Sequence, residues 1–321
     1  MKPVLLLTGS IPSEPMPANN QSDRVRRVQQ FLVYGLPLYL GAVHIYLLFS
    51  DSSMQTGRAL RLTIIIPEII IWVIASASAF RFKKYACSIA DHPDGRALNH
   101  IANALLLLVI YIILLTTAGS IARLFADTDY RNVVTTLRNH VPLAVILASV
   151  TELAIGSSQL NALAGNNWWT PKRRRWLALS AILFFALFAA LFYQSRPDLL
   201  TSRGMPKFAL PPSVLLFTYI LPHVVVWVLG FSACISLANY GRKAPGVLYR
   251  SLFKDLGRGT LITFICIFLA QFLIITTVSV DRRGVSLVLV YLVLILSTVG
   301  FLAIWRGAKK LDKLESVKAP S

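Results

Sequence analysis

The chain has 321 residues, 55% of them hydrophobic and 14% charged, against about 25% charged in an ordinary soluble protein. Its 32 Lys and Arg outnumber 14 Asp and Glu, for a formal net charge of +18. This composition excludes a soluble globule. An all-α polytopic membrane bundle is expected instead, because in lipid each spanning segment must satisfy its own backbone hydrogen bonds over roughly 18 or more apolar residues.

In chain order, the segment 1–30 reads as a polar tail. Its only apolar run, Val4–Leu7, is too short for a signal-peptide core, so no cleaved leader is expected. Eight spans follow, at Phe31–Ser50, Leu62–Phe80, Ile101–Ala122, His140–Leu163, Trp176–Gln194, Pro212–Ala238, Gly259–Val280 and Gly284–Trp305. The segment 307–321 forms a second tail.

The basic residues locate the two faces. The tails and the even-numbered loops hold 22 of the 32 Lys and Arg, and the odd loops hold 10. This is the positive-inside asymmetry; with an even number of spans it places both termini in the cytoplasm and suggests a cytoplasmic-membrane protein. The charge therefore reads as topology and contact with anionic headgroups rather than nucleic-acid binding. Cys87, Cys234 and Cys266 all fall away from the outer loops, so no disulfide framework is expected.

An internal repeat organises the chain. The second span contains Thr63, Pro67, Glu68 and Trp72, and the sixth contains Thr218, Pro222, His223 and Trp227, at a constant offset of 155. Thr116 and Thr117 are echoed by Thr276 and Thr277 at an offset of 160. Residues 31–164 and 176–306 thus read as two four-helix copies joined by the basic inner linker Gly165–Arg175. Units with an even number of spans share one orientation, so the copies would be related by an axis along the membrane normal. Each proline removes a helical hydrogen bond and crowds the threonine carbonyl four residues back, which predicts a kink in the outer half of both helices.

Few ionisable groups fall inside the spans: Glu68, Glu152, His44 and His223. Such groups are costly in the bilayer and generally face the bundle interior or water. At about 1.5 Å per residue, His44 and Glu68 lie at similar depth, about 9 Å below the outer surface. A pseudo-twofold axis would set Glu68 opposite His223. These residues form a candidate ligand or proton site; the alternative is a hydrogen-bonded pair that ties two kinked helices together. Glu152 belongs to the series Ser149, Glu152, Gly156, Gln159, which shares one helical face. That face is either a polar strip along a pathway or a seam of small and polar residues packed on another helix.

Lys172, Arg173, Arg174 and Arg175, flanked by Trp168, Trp169 and Trp176, read as a lipid-interface anchor. The inner loops Arg81–His100 and Asn239–Arg258 carry Asp94-Gly95 and Pro245-Gly246 turn signals, and are where a cytoplasmic protein partner would dock. A homo-oligomer is compatible with the sequence.

No span contains lysine, which excludes a retinal Schiff base. Phosphate-loop, zinc-protease and nucleophile-elbow motifs are absent, and Gly156-Ser157-Ser158 has no histidine base beside it, so the reading leans away from an enzyme. Haem would need His44 and His223 as a facing pair, and neither it nor any metal or other cofactor is expected. The leading expectation is transport or permeation of an ion or small solute. The competing one is a receptor, sensor or assembly subunit that binds a ligand or proton and relays to a cytoplasmic partner.

Overall fold

The computed structural model describes residues 58–124, 131–165, 167–194, 216–244, 246–277 and 283–318, with isolated positions between 31 and 46 and position 214. The first expected span, with His44, lies largely outside the described residues, as does the tail 1–30, whereas most of the expected tail 307–321 continues the last helix, to Lys318.

Among the described residues the chain is helical. The helices are α1 (Arg58–Ser88), α2 (Pro93–Leu124), α3 (Arg131–Leu163), α4 (Pro171–Gln194), α5 (Leu221–Lys243), α6 (Val247–Thr277) and α7 (Arg283–Lys318); a π-turn, Leu216–Ile220, leads into α5. Among the described residues, five segments are long and apolar enough to cross a membrane: Leu62–Ser88, Pro93–Leu115, His140–Leu163, Leu216–Lys243 and Tyr291–Leu314. The protein is a membrane-embedded helical bundle.

Two of the connections are very tight. Between α1 and α2 the chain reverses over Ile89–His92, where the His92 N–H donates to the Ile89 carbonyl at 3.0 Å. A Cβ on Gly95 would lie 1.8 Å from that same carbonyl, so only glycine admits the approach. Between α5 and α6 the chain turns at Gly246, whose φ of +76° is left-handed. Both expected turn signals therefore sit at helix reversals, and both loops are much shorter than the sequence reading allowed, because the helices run on past the apolar tracts.

Packing closes a ring. Helix α1 packs on α2, α2 on α3, α3 on α5, α5 on α6, α6 on α7, and α7 returns to α1, while α4 stands outside against α5 and its π-turn. On α1 the stripe Ile65, Trp72, Ala75, Ala79, Phe82 and Ala86 is buried, and so is Ile220 of the π-turn with His223, Trp227, Gly230, Cys234, Leu237 and Gly241 of α5. Alternating steps of three and four residues keep each set on one helical face. The opposite side of α1 shows Ile66 and Ile70, about half exposed, as a lipid-facing helix requires.

Polar clamps join the helices at the basic end. Arg81 on α1 stacks over Trp305 of α7 at 4.2 Å and pairs with Asp312 at 3.3 Å. The Lys83 ammonium donates to Asn99 and Asn103 of α2 at 2.6 and 2.8 Å. Lys310 of α7 pairs with Asp255 and donates to Ser251, both on α6. In the seam between α3 and α5, the buried Asn161 amide donates to the Ser236 carbonyl at 3.0 Å. All three cysteines are free, with Cys234 and Cys266 buried and Cys87 exposed.

Candidate functional site

The two copies of the Thr-Pro-[Glu/His]-Trp motif lie on α1 and α5, at the end of the ring away from the basic clamps. In α1, Pro67 sits inside an unbroken α-helix. Thr63 is tied to α7 through a hydrogen bond between its hydroxyl and that of Tyr291. In the second copy the helical register changes: residues 216–220 form a π-turn, and Pro222 falls in the first turn of α5, where its missing N–H is least costly. The expected distortion is thus a π-turn in the second copy, and no equivalent turn interrupts α1. The Thr218 hydroxyl donates back to the Val214 carbonyl at 2.8 Å, bonding within its own helix where Thr63 reaches a neighbour.

His223 is 5% exposed and its Nδ1 lies 2.6 Å from the Tyr219 carbonyl. A carbonyl only accepts, so Nδ1 carries the proton. The ring is flanked by Tyr219 at 4.4 Å and Trp227 at 5.9 Å between centroids. Trp227 in turn meets Phe188 of α4 at 4.4 Å and Phe268 of α6 at 5.0 Å. His140, at the start of the α3 span, joins from the other side, with its ring 6.3 Å from Tyr219 and its Nε2 3.4 Å from the Thr218 hydroxyl oxygen. The single Thr218 proton is already given to Val214, so His140 donates here. Residues from α3, α4, the π-turn, α5 and α6 therefore surround the Tyr219–His223–Trp227 stack.

Glu68 is partly buried on the α1 stripe, between Ile65 and Trp72. No hydrogen bond or ion pair engages it among the described residues, and none joins it to His223. One turn further along α1, Trp72 is 1% exposed and its indole N–H has no partner among the described residues. A partly buried carboxyl and a buried N–H donor thus share one face of α1, each without a partner among the described residues. His44, the third expected member, lies outside the described residues.

Glu152 belongs to a different place. Its carboxylate accepts from His100 Nδ1 of α2 at 2.8 Å. Ser149 donates to the Ala104 carbonyl at 2.7 Å, and Gly156 packs so closely on α2 that a Cβ would fall 2.7 Å from the Ala97 carbonyl. The fourth member of that face, Gln159, has a buried side-chain oxygen with no partner among the described residues. Ser149, Glu152 and Gly156 thus lie at the contact of α3 with α2.

His100 lies within α2 and not in the expected inner loop Arg81–His100. The signal that extends α2 back to include it is Pro93-Asp94, a proline at the first helical position followed by an acid in the first turn. His140 and Tyr219 carry no such signal, since their meeting depends on how α3 and the π-turn pack.

The basic cluster also divides. Trp168 is 9% exposed, its indole N–H reaches the Ser232 hydroxyl at 3.4 Å, and Arg173 closes over it with a ring contact of 4.0 Å. Trp169 is half-buried against the core. Lys172, Arg174, Arg175 and Trp176 are exposed on the first turns of α4. No group of three or more potential metal-ligating side chains occurs among the described residues. No protein-family model, curated protein or solved structure matches the chain.

Proposed function

We propose that the protein is a carrier or permeation path for an ion or small solute, formed by two copies of a four-helix unit, with Glu68 and His223 at equivalent places in the two copies. The observation that carries this reading is the pair of polar groups on one face of α1, the Glu68 carboxyl and the Trp72 indole N–H, that find no partner among the described residues. Unsatisfied polar groups inside a folded protein are rare and costly, about 1–3 kcal/mol each. A carboxyl at that depth is tolerated where a cation, proton or polar solute completes it.

Matched packing supports the duplication. The buried positions 65, 72, 75, 79, 82 and 86 of α1 correspond to 220, 227, 230, 234, 237 and 241 of α5, all at the offset of 155. Gly156 lies against the carbonyl of Ala97 and the side chain of Ile101, and Gly307 against the carbonyl of Leu252 and the backbone of Leu256. Ser149 meets the Ala104 carbonyl as Gly300 meets that of Gly259. The ring order α1, α2, α3, then α5, α6, α7 repeats the same neighbours in each half.

On this reading the first expected span packs on α1 as α4 packs on α5, and Gly41, whose added Cβ would meet the Ile69 side chain at 2.5 Å, lies at that contact. The apolar tracts of α4 and α6 complete eight crossings, and the basic end faces the cytoplasm. Glu152 then serves the α2–α3 seam rather than the path.

The test is flux in proteoliposomes across a panel of cations and small polar solutes. A solute carried by wild type is expected to lose most of its flux in Glu68→Gln, and again in His223→Ala. Wild-type flux in a folded Glu68→Gln/His223→Ala double variant would remove both residues from the path. Absence of flux for every solute, with retained binding of one of them, would favour a receptor or sensor.

A further inference from the structure

Helix α4 opens with four consecutive cations and contains no acidic residue along its length. These cations do not act alike. Arg173 is committed to the protein, stacked over Trp168 at 4.0 Å and donating to the Trp168 carbonyl at 3.2 Å. Lys172 and Arg175, with Pro171, Trp176 and Leu179, line an open cavity of about 530 Å³. Positions 172, 175, 176 and 179 are spaced to share one face of the helix, whereas Arg174 projects from the opposite side. Below the two cations the same face continues with Trp176, Leu179 and Leu183, exposed by 63%, 57% and 71%.

A paired cationic head above an exposed apolar stripe has the polarity of an amphiphile with a negative head. We infer that this face of α4 is a binding site for an anionic glycerophospholipid, with the phosphodiester held between Lys172 and Arg175, the glycerol region against Trp176 and an acyl chain along Leu179 and Leu183. Charge complementarity commits the occupant: two lining cations face no acid on their own helix, and an aromatic ring with one polar edge suits the boundary between headgroup and chain. The inference is independent of the flux proposal, since neither Glu68 nor His223 takes part.

The experiment is native mass spectrometry of the full chain in micelles doped with phosphatidylglycerol or phosphatidylcholine. Wild type is expected to retain a phosphatidylglycerol adduct in preference to phosphatidylcholine. Each cation near an anionic surface contributes about 1 kcal/mol, so Lys172→Gln/Arg175→Gln should lower the retained adduct by up to about thirtyfold. The control is Arg174→Gln/Lys254→Gln, which removes the same charge from exposed positions outside the cavity and should keep the adduct.

Equal loss in the two double variants would overturn the site and leave only general attraction between a basic protein and anionic lipid. Displacement of the lipid by millimolar inorganic phosphate would show an anion pocket that does not use the acyl stripe, and would also overturn it. Retention of the adduct in Leu179→Ser/Leu183→Ser at the wild-type level would do the same.

Discussion

Substitution of Gly156 by alanine tests the α2–α3 seam. The new Cβ would stand 2.7 Å from the Ala97 carbonyl oxygen, 2.8 Å from Ile101 Cγ1 and 3.1 Å from His100 Cβ. An ordinary carbon–oxygen contact is about 3.3 Å, so the α2 backbone must retreat by roughly 0.6 Å. The side chain of Ile101 can turn aside, but a carbonyl inside a helix moves only with its helix. That retreat also stretches the Ser149 bond to Ala104 and the His100–Glu152 pair, now 2.7 and 2.8 Å, toward the edge of hydrogen-bonding range. Overpacking of this kind costs about 1–3 kcal/mol, so a loss of about 2 kcal/mol is expected, roughly a thirtyfold change in the unfolding equilibrium. At Gly307, where α7 packs on α6, the nearest atom would be 3.3 Å away, and alanine there should cost no more than about 0.5 kcal/mol. The assay is reversible unfolding by dodecyl sulfate in mixed micelles, followed by tryptophan fluorescence. Equal stability of Gly156→Ala and Gly307→Ala would refute the packing argument.

Three further outcomes follow from the contacts. A double-mutant cycle on His100→Ala and Glu152→Gln should give a coupling of about 0.6–1.7 kcal/mol, the range measured for polar contacts between membrane helices, and strict additivity would remove the pair. Trp227→Ala empties a fully buried site shared by Phe188, Phe268 and His223 and should cost about 3–5 kcal/mol, whereas the 63% exposed Trp176 should tolerate alanine within about 0.5 kcal/mol. Tyr249 lies ahead of the apolar tract of α6, and burial, with the hydrogen bond to Tyr85, pushes its phenol up from the ordinary value. Its folded value exceeds the unfolded one of about 10, so its stabilisation is complete below about pH 10 and is lost as pH rises through the folded value. Unfolding midpoints should therefore fall above about pH 10 and fall less in Tyr249→Phe; identical alkaline profiles would contradict the burial.

The sequence located most of the helical tracts, because a spanning segment must be long and apolar whatever its neighbours do. Glycine also marked both reversals, at Gly95 because a side chain would strike the Ile89 carbonyl and at Gly246 because its φ is left-handed. Loop lengths were overestimated for a physical reason. Charged and polar residues end an apolar tract but not a helix, and α2 begins at Pro93, eight residues before the expected span. That error hid His100 as the partner of Glu152.

At the candidate site, the cost of an ionisable group in lipid is what pointed Glu68 and His223 toward the bundle interior or water, while the burial of Trp72 and Trp227 carried no sequence signal and comes from packing. The sharing of one face by Ser149, Glu152, Gly156 and Gln159 was legible too, but whether that face bordered a path or a helix was not. Helix α2 decides it, by lying close enough for the Ala97 carbonyl to fill the place of a side chain at Gly156. Tertiary structure likewise drew His140 and Tyr219 to His223, turned Arg173 back onto Trp168 while Lys172 and Arg175 face outward, and left Glu68 and Trp72 without partners among the described residues. Local sequence dictates which segments are helical and which side of each is buried. The partner of each side chain depends on contacts between residues far apart in the chain, and these are set only when the helices close into a ring.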